Sequence, residues 1–308
     1  MKYLLAVCCF VHFHVGAQYI RYTGEINDTA SRSFYLQYEN DLFVQTDRYY
    51  TQGIVLNYKT VPKASSYITG LFFQVPASRK RLSLGLDQQV FTPTSIRSDS
   101  LLNHDRPYAA TLRLTTVFES TDTLKNRLFG WQFSVGMIGP GALGKETQTG
   151  IHKATNNFLP LGWQHQLNTG LLLDIGAHVN YRVFAIQHWL RLDVDAQANL
   201  GTGNTSLLAG GNLNLCLVRN KLALGFYAKP ALRIVGYDAT LQGSLIGLKS
   251  EYHILSNQLE RLISEQETGI RLKVNRYSVD VWLRFQSHLF DGAVNHRWGG
   301  IRLSLSVY

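Results

Sequence analysis

The sequence predicts an antiparallel transmembrane β-barrel of about twelve strands, and three features support this fold class. Apolar and polar residues alternate along segments of about ten residues, as expected for strands with two chemically different faces. The connections between these segments are alternately short and long. No segment contains the roughly 18 consecutive apolar residues that a membrane-spanning helix needs.

The first residues have the pattern of an export signal. Lys2 precedes an apolar stretch, and Val15, Gly16 and Ala17 match the small residues of a signal-peptidase cleavage site. We therefore predict a signal peptide over 1–17 and one β-barrel domain over 18–308.

Residues 188–200 illustrate the alternation from which the strands are predicted. Leucine, valine and alanine occupy every second position from 190, with arginine, aspartate, glutamine and asparagine between them. One face of such a strand must contact water or ions, while the other contacts an apolar phase. The same pattern predicts strands over 33–42, 50–59, 81–91, 108–119, 127–138, 162–183, 188–200, 205–218, 222–236, 262–274, 277–289 and 297–308.

The lengths of the connections distinguish an outer-membrane barrel from a soluble all-β sandwich or barrel, which would also alternate. If the N-terminus is periplasmic, short turns lie inside and long loops outside, as in outer-membrane barrels. The stretch 60–80 is an exception, because it is long on the periplasmic side. The short connections include 219–221 and 275–276, and the long ones include 92–107, 139–161 and 237–261.

Aromatic residues occur near the ends of several predicted strands. In membrane proteins such residues often form girdles at the two lipid–water interfaces. We expect this position for Tyr49, Tyr50, Trp131, Trp163, Trp189 and Trp298.

The chain is basic, with 30 Lys and Arg against 21 Asp and Glu and a net charge of +9. Removal of a leader that carries Lys2 leaves +8 on residues 18–308. This excess favours anionic partners such as lipid phosphates, although charge lining the barrel lumen would also explain it. We expect outer-membrane lipids as surroundings, no nucleic-acid partner and a monomer.

Four stretches interrupt the strand pattern. Strand order brings all four to one rim of the barrel, the extracellular one, and this convergence predicts a functional site there. The stretches are YENDLF at 38–43, TDRYYTQG at 46–53, NHDRPYAA at 103–110 and GPGALGKETQTGIHK at 139–153.

Each stretch also has a purely structural explanation. Asn40 and Asp41 could simply end a strand and begin a turn. Their alternating positions let both serve one site only at a bulge or above the bilayer. Asp105 and Arg106 could form an exposed ion pair, or Arg106 could belong to a rigid entry into the next strand.

The stretch from Gly144 to Asn157 predicts one short helix in an extracellular loop. On such a helix Gln148 and His152, four residues apart, project from the same side. A neutral imidazole can take a proton from water near neutral pH. Asn and Asp oxygens nearby would suit a hard cation such as calcium.

Together, the four stretches resemble those of the lipid A 3'-O-deacylase (LpxR) family of outer-membrane barrels, over nearly all of the mature chain. The resemblance implies that 18–308 is an outer-membrane enzyme domain that hydrolyses the 3'-linked acyloxyacyl ester of lipid A in lipopolysaccharide. It also implies calcium dependence and water activated by a histidine. His152 matches the catalytic base, and Gln148 matches its neighbour on the helix.

The resemblance carries over to four further residues. Asn40 and Asp41 match an essential Asn-Asp pair, to which we assign metal binding and support of the oxyanion. Thr51 matches a hydroxyl position that supports the site by hydrogen bonding. Arg106 lies where a basic residue would meet a phosphate of lipid A.

Two other functions remain open from the residues alone. One is an outer-membrane phospholipase with a serine nucleophile paired with histidine. The other is a barrel without enzymatic activity, either a pore or a surface binding protein. A pore needs an open lumen, whereas charged side chains can fill a barrel of twelve strands.

Overall fold

The computed structural model describes residues 30–44, 46–62, 75, 79–187, 189–219 and 221–308. The predicted signal peptide at 1–17 and most of the long stretch at 60–80 lie outside these residues. No helix among the described residues is long and apolar enough to cross a membrane.

Twelve long strands and one very short strand form a single antiparallel sheet. Their number and type confirm the predicted fold class. The strands are β1 Arg32–Asn40, β2 Tyr49–Thr60, β3 Arg79–Thr92, β4 Ala109–Asp122, β5 Arg127–Ile138, β6 Gly170–Ile186, β7 Leu190–Gly201, β8 Asn204–Arg219, β9 Leu222–Asp238, β10 Ile246–Gly247, β11 Leu262–Val274, β12 Tyr277–Gln286 and β13 His296–Val307.

Pairing of the first and last strands closes the sheet into a barrel. β1 pairs with β13 on one side and β2 on the other, and each remaining long strand pairs with the next long strand along the chain. The two-residue β10 adds to the edge of β6, where it pairs with Gly170 and Leu171. Closure leaves the long strands without an open edge, as a barrel surrounded by lipid requires.

The alternation along β7 shows that the apolar face points outward. Leu192 and Val194 are 37% and 43% exposed, whereas Asp193 and Asp195 are only 6% and 8% exposed. A soluble barrel would bury its aliphatic face, so this arrangement rules out the soluble sandwich or barrel. The outward aliphatic surface belongs to a barrel that lies in a membrane.

Ion pairs fill much of the lumen. Glu267 on β11 lies between Lys229 Nζ at 2.8 Å and Arg284 Nη2 at 2.5 Å. Arg284 also pairs with Glu39 on β1 at 3.1 Å, so these contacts run along the lumen wall from β9 to β1. A lumen filled with such side chains has little room for a conducting channel.

Short helices and buried apolar clusters lie at the end where β1 terminates and β2 begins, which we call the loop-rich end. The helices are the 3-10 turns η1 Asp41–Val44, η2 Pro140–Ala142 and η3 Trp163–His165, and the α-helices α1 Gly144–Ala154 and α2 Ala239–Gln242. In one cluster the Tyr50 ring lies 4.8 Å from Trp298 and 5.4 Å from Phe91. These aromatic rings pack above the lumen.

The prediction of a position at the lipid–water interface is wrong for four of the six aromatic residues. Tyr49, Tyr50, Trp163 and Trp298 are at most 4% exposed, while Trp189 is 42% exposed. Strand ends at the loop-rich end are covered by folded loops, so the rings there turn toward protein instead of lipid headgroups.

Several predicted strand boundaries also differ from the structure. The strand expected over 162–183 begins at Gly170, because Trp163–His165 forms η3 against the loops. The strand expected over 33–42 ends at Asn40, where η1 begins. The strand expected over 277–289 ends at Gln286.

Candidate functional site

Helix α1 presents three buried residues at a spacing of four, Gly144, Gln148 and His152. This confirms the prediction that Gln148 and His152 share one side of the helix. Gly144 is required by the packing, because a Cβ there would lie 2.4 Å from Ala110 Cβ and 2.7 Å from Trp163 Cη2. The missing side chain lets the helix approach the barrel wall closely.

The helix and the turn before it lie on the outer surface of the wall. Leu86, Gln88 and Val90 point to one face of β3, since side chains alternate along a strand. Leu86 is 44% exposed on the membrane side, whereas Val90 packs against Ala142 and Gln88 Nε2 donates to the Ala142 carbonyl at 2.7 Å. The site therefore begins where the apolar belt of the barrel ends.

His152 lies in the last turn of α1 and is 6% exposed. Its Nδ1 contacts the carbonyl oxygen of Phe158, and the Asn157 N–H donates to the His152 carbonyl at 2.8 Å. A carbonyl only accepts hydrogen bonds, so Nδ1 carries a proton. This leaves Nε2, 3.5 Å from Asp47 Oδ2, as the nitrogen that can take a proton.

Gln148 connects the helix to Asp47 in the segment between η1 and β2. Trp163 Nε1 donates to Gln148 Oε1 at 2.9 Å, and Gln148 Nε2 donates to Asp47 Oδ1 at 3.3 Å. Since an indole N–H only donates, Trp163 sets which end of the Gln148 amide faces Asp47. The carboxylate of Asp47 is thereby held beside His152.

Asn40 and Asp41 lie where β1 gives way to η1. The turn interrupts the alternation of the strand, so both adjacent side chains are buried, at 8% and 1% exposed. Asp41 Oδ2 accepts from the Arg48 N–H at 2.8 Å and from Thr46 Oγ1 at 3.0 Å. The chain therefore leaves the strand conformation between Asn40 and Asp41, and this allows both side chains to serve one site.

Burial is the main cause that raises the pKa of Asp41 to about 8, and the nearby charge of Asp47 raises it further. Burial also raises the pKa of Asp47, against the lowering effects of His152 and Gln148. Two carboxyl groups thus lie close enough to influence each other in a partly desolvated pocket. A cation bound beside Asp41 would favour its ionised form.

The donor set fits a hard divalent cation. Among the described residues, no group of three or more His, Cys, Asp or Glu side chains could hold a metal. Calcium, however, also binds amide and backbone carbonyl oxygens. Asn40 Nδ2 donates to the Tyr38 hydroxyl at 3.0 Å, so the amide oxygen of Asn40 is the atom that could face a cation beside Asp41.

Thr51 occupies an irregular position at the start of β2. The register with β3 shifts between Tyr50 and Gln52, so Thr51 is the extra residue of a bulge. Its hydroxyl lies 2.7 Å from Thr92 Oγ1, in a fully buried contact. Thr51 therefore joins the ends of β2 and β3 beneath the site.

Arg106 lies beneath the rim and is 1% exposed. Nη2 donates to Thr240 Oγ1 at 2.6 Å, and the guanidinium carbon is 4.3 Å from the centre of the Phe91 ring. Asp105 accepts from the backbone and hydroxyl of Thr94, at 2.8 and 2.5 Å. Burial of Arg106 argues against its expected contact with a phosphate. Its buried contacts with Thr240 and Phe91 also differ from the exposed ion pair that the sequence left open.

The structure thus brings Gln148 and His152 together with Asp47, and Asp47 with Asp41. The sequence analysis did not select Asp47, although it lies within the quoted stretch TDRYYTQG. A second carboxylate six positions after Asp41, in a segment expected at the same rim, was the available signal. Trp163 was also missed as a partner of the helix, because it was assigned to the membrane interface.

A family model and one solved structure support the same fold. A family model described as "Outer membrane protein LpxR" matches residues 4–307. Among solved structures, LpxR from Salmonella typhimurium has a TM-score of 0.74 at 17% identity, over 89% of this chain and 99% of that chain. The translocator domain of the autotransporter NalP from Neisseria meningitidis has a TM-score of 0.42 at 11% identity, over 91% of this chain and 89% of that chain. The comparison with curated proteins found no match.

Proposed function

The chain belongs to the LpxR family of outer-membrane proteins, and from this membership we propose that it is a lipid A deacylase. The reaction is hydrolysis of the 3'-linked acyloxyacyl ester at the extracellular rim. The main support for the proposal is the position of His152. This side chain is held on the outer wall of the barrel, directly beyond the membrane-facing leucines of β3. An ester at the lipid surface can reach this side chain while its acyl chains remain in the membrane.

His152 is the general base of the proposed reaction. Because Nδ1 donates to the Phe158 carbonyl, Nε2 is unprotonated in the neutral ring and can remove a proton from water. The resulting imidazolium is stabilised by the Asp47 carboxylate, 3.5 Å from Nε2. Gln148 holds Asp47 in this position, and the proton later passes to the leaving alkoxide.

Asn40 and Asp41 support the ester oxygen from the end of β1. Asp41 and Asn40 would hold calcium, which when bound would polarise the ester carbonyl and stabilise the charge that develops on its oxygen. Thr51 acts indirectly, by fixing the ends of β2 and β3 through Thr92.

The structure disfavours both alternative functions. Ion pairs such as that between Arg233 and Glu265 at 2.5 Å occupy the lumen, which argues against a pore. The ring nitrogens of His152 face the Phe158 carbonyl and Asp47, and neither neighbour is a serine. A phospholipase with a serine nucleophile would need its hydroxyl beside the base.

Mass spectrometry of lipid A after incubation with the detergent-purified protein tests the proposal. We expect the wild type with calcium to remove one acyloxyacyl group, and a chelator to prevent this. His152→Ala should lower the rate about 10³-fold, since general-base catalysis contributes about that factor. His288→Ala is the matched control, because His288 is an exposed histidine that pairs with Glu260 at 3.4 Å away from the site.

Two results would overturn the proposal at different levels. Unchanged lipid A with folded wild type and calcium would exclude this deacylation. Equal hydrolysis by the His152→Ala protein would keep the enzyme but exclude His152 as its base.

A further inference from the structure

We propose that a small polar cavity in the barrel lumen binds a structural calcium ion. The cavity has a volume of about 20 Å³, which is enough for one water molecule or one ion. Side chains from β3 to β8 line it, among them Asp87, Gln132, Asp174 and Gln197. The inference goes beyond the proposed deacylase function, because this cavity lies inside the barrel, whereas His152 lies on the outer wall.

Three oxygens of the residues that line the cavity have no hydrogen-bond donor among the described residues. They are Asp87 Oδ2, Gln132 Oε1 and Gln197 Oε1, and all three atoms are buried. Asp87 is 1% exposed and Gln197 is 6% exposed. Gln197 Nε2 donates to Asn199 Oδ1 at 3.1 Å, so the oxygen of this amide is the atom left for the cavity. Buried acceptors of this kind cost free energy unless a bound group satisfies them.

The charges around the cavity favour a cation. Arg113 Nη2 donates to Asp87 Oδ1 at 3.1 Å, so these two side chains together are neutral. Asp174 is a second carboxylate and is 6% exposed. Within the described part of the chain, no cationic side chain forms a salt bridge with it. Buried carboxylates are ordinarily paired or bound to a metal, so the charge of Asp174 calls for a cation in the cavity.

The turn between β7 and β8 holds Asp174 in place. The N–H groups of Gly203 and Asn204 donate to Oδ1 at 2.8 and 2.9 Å. Oδ2 lies 3.5 Å from the Ser134 hydroxyl, which is a weak contact. A Cβ on Gly203 would lie 2.5 Å from Oδ2, so the glycine leaves room around this oxygen. Asp174 therefore offers one anchored and one available oxygen, and little conformational entropy is lost when an ion binds.

Calcium satisfies this set of oxygens better than water does. One water molecule donates two hydrogen bonds, fewer than the three acceptors that lack a donor, and it leaves the carboxylate charge unbalanced. Calcium binds carboxylate and amide oxygens together and tolerates irregular geometry. The two aspartates and two glutamines supply such oxygens from β3, β5, β6 and β7. A bound ion would therefore join four strands of the barrel.

Calcium binding to the whole protein tests the site. Asp41→Asn is the background, because it removes the carboxylate proposed to hold calcium at the rim. Each protein is refolded into detergent at a set calcium concentration, so that the ion is present before the lumen closes. Equilibrium dialysis then measures bound calcium. We expect Asp41→Asn to bind one ion per chain, and Asp174→Asn in this background to weaken binding at least about tenfold, because ligand charge sets calcium affinity. The asparagine oxygen can still accept from the β7–β8 turn.

Asp193→Asn, in the same background, is the matched control. Asp193 is another buried acid of the lumen on the same strand as Gln197, but it pairs with Arg182 at 2.9 Å outside the cavity. Its replacement should leave calcium affinity unchanged. Folded Asp41→Asn without bound calcium, or equal losses from Asp174→Asn and Asp193→Asn, would overturn the site. One ion per chain in both wild type and Asp41→Asn would support the lumen site and count against calcium at the rim.

Gln197→Leu distinguishes a ligand from a residue that only stabilises the fold. It removes a buried acceptor that has no donor, so with chelator its urea midpoint should be close to that of the Asp41→Asn background. Calcium should raise the midpoint of the background, and should raise it less when Gln197→Leu is added, since a ligand that binds the folded state stabilises it. An equal rise in both proteins would overturn the assignment of Gln197. A rise with sodium but not with calcium would overturn the choice of a divalent ion.

Discussion

Buried acids have different hydrogen-bonding and charged partners in the lumen and at the loop-rich end. In the lumen, Glu267 contacts two cationic side chains, Lys229 and Arg284, at 2.8 and 2.5 Å. At the rim, Asp41 is as deeply buried, yet its hydrogen bonds come from the neutral Thr46 hydroxyl and the Arg48 backbone. Among the described residues, no lysine or arginine side chain forms a salt bridge with Asp41.

This difference indicates a structural role for Glu267 and a chemical role for Asp41. A buried acid between two cations is electrostatically satisfied and stabilises the barrel only as part of that group. A buried acid with neutral donors has a raised pKa and retains its attraction for a cation. Lumen substitutions should therefore change stability, and rim substitutions should change catalysis.

The largest effect on stability is expected from Glu267→Gln in the lumen. It leaves Lys229 and part of Arg284 without their shared carboxylate, which should lower the free energy of unfolding by about 3 kcal/mol. Urea unfolding in lipid vesicles, followed by tryptophan fluorescence, measures the change. Activity per folded molecule should stay at the wild-type level.

Asp41→Asn provides the opposite control for Glu267→Gln. An amide oxygen can still accept from Thr46 and the Arg48 backbone, so the free energy of unfolding should change by no more than about 1 kcal/mol. If Asp41→Asn destabilised the barrel as much as Glu267→Gln, the proposed distinction between lumen and rim would be wrong.

A smaller effect, on kcat alone, is expected from Asp47→Asn. The new amide can still accept from Gln148, but it removes the negative charge 3.5 Å from His152 Nε2. Loss of this stabilisation of the imidazolium should lower kcat about 30-fold with little change in KM. Steady-state kinetics on lipid A measure both constants.

Glu146→Gln is the matched control for Asp47→Asn. Glu146 is an exposed acid in the first turn of α1, the helix that carries His152, so its neutralisation should leave kcat unchanged. Equal decreases for the two variants would show a general effect of charge, and an unchanged kcat in Asp47→Asn would exclude Asp47 from the reaction.

The predictable features of this molecule depend on local spacing. Alternation places side chains on the two faces of β7, and a spacing of four places Gln148 and His152 on one face of α1. Both patterns are set by neighbouring residues, so the sequence alone is sufficient. The barrel and the buried side of the helix follow from them.

The features that escaped prediction depend on distant contacts. Arg106 is buried because it meets Thr240, 134 positions away, and local sequence does not reveal that partner. Asp47 lies in an irregular segment whose direction is set by Gln148 on α1, 101 positions further along the chain. Irregular segments have no periodicity from which the direction of a side chain could be inferred.

The smallest effect is expected from His165, which joins three loops above the barrel. Nδ1 lies 3.0 Å from Glu251 Oε2 and Nε2 lies 3.0 Å from the Asp99 carbonyl, so both nitrogens must donate and the ring must be protonated. Hydrogen bonding to Glu251 is the main cause that raises the pKa of His165 above its ordinary value of 6.5. Because the folded state has the higher pKa, the contacts stabilise the loops fully below about pH 6.5 and are lost as pH rises through the raised value.

Limited proteolysis of the loop between β9 and β11 measures this loss. Cleavage should become faster as the pH rises above about 6.5 in the wild type, after correction for the pH dependence of the protease on an unfolded substrate. His165→Gln should lose this pH dependence, since glutamine does not titrate. If His165→Gln kept the pH dependence, another group would control the loops, and the rim would then contain a titrating contact outside those described for His165.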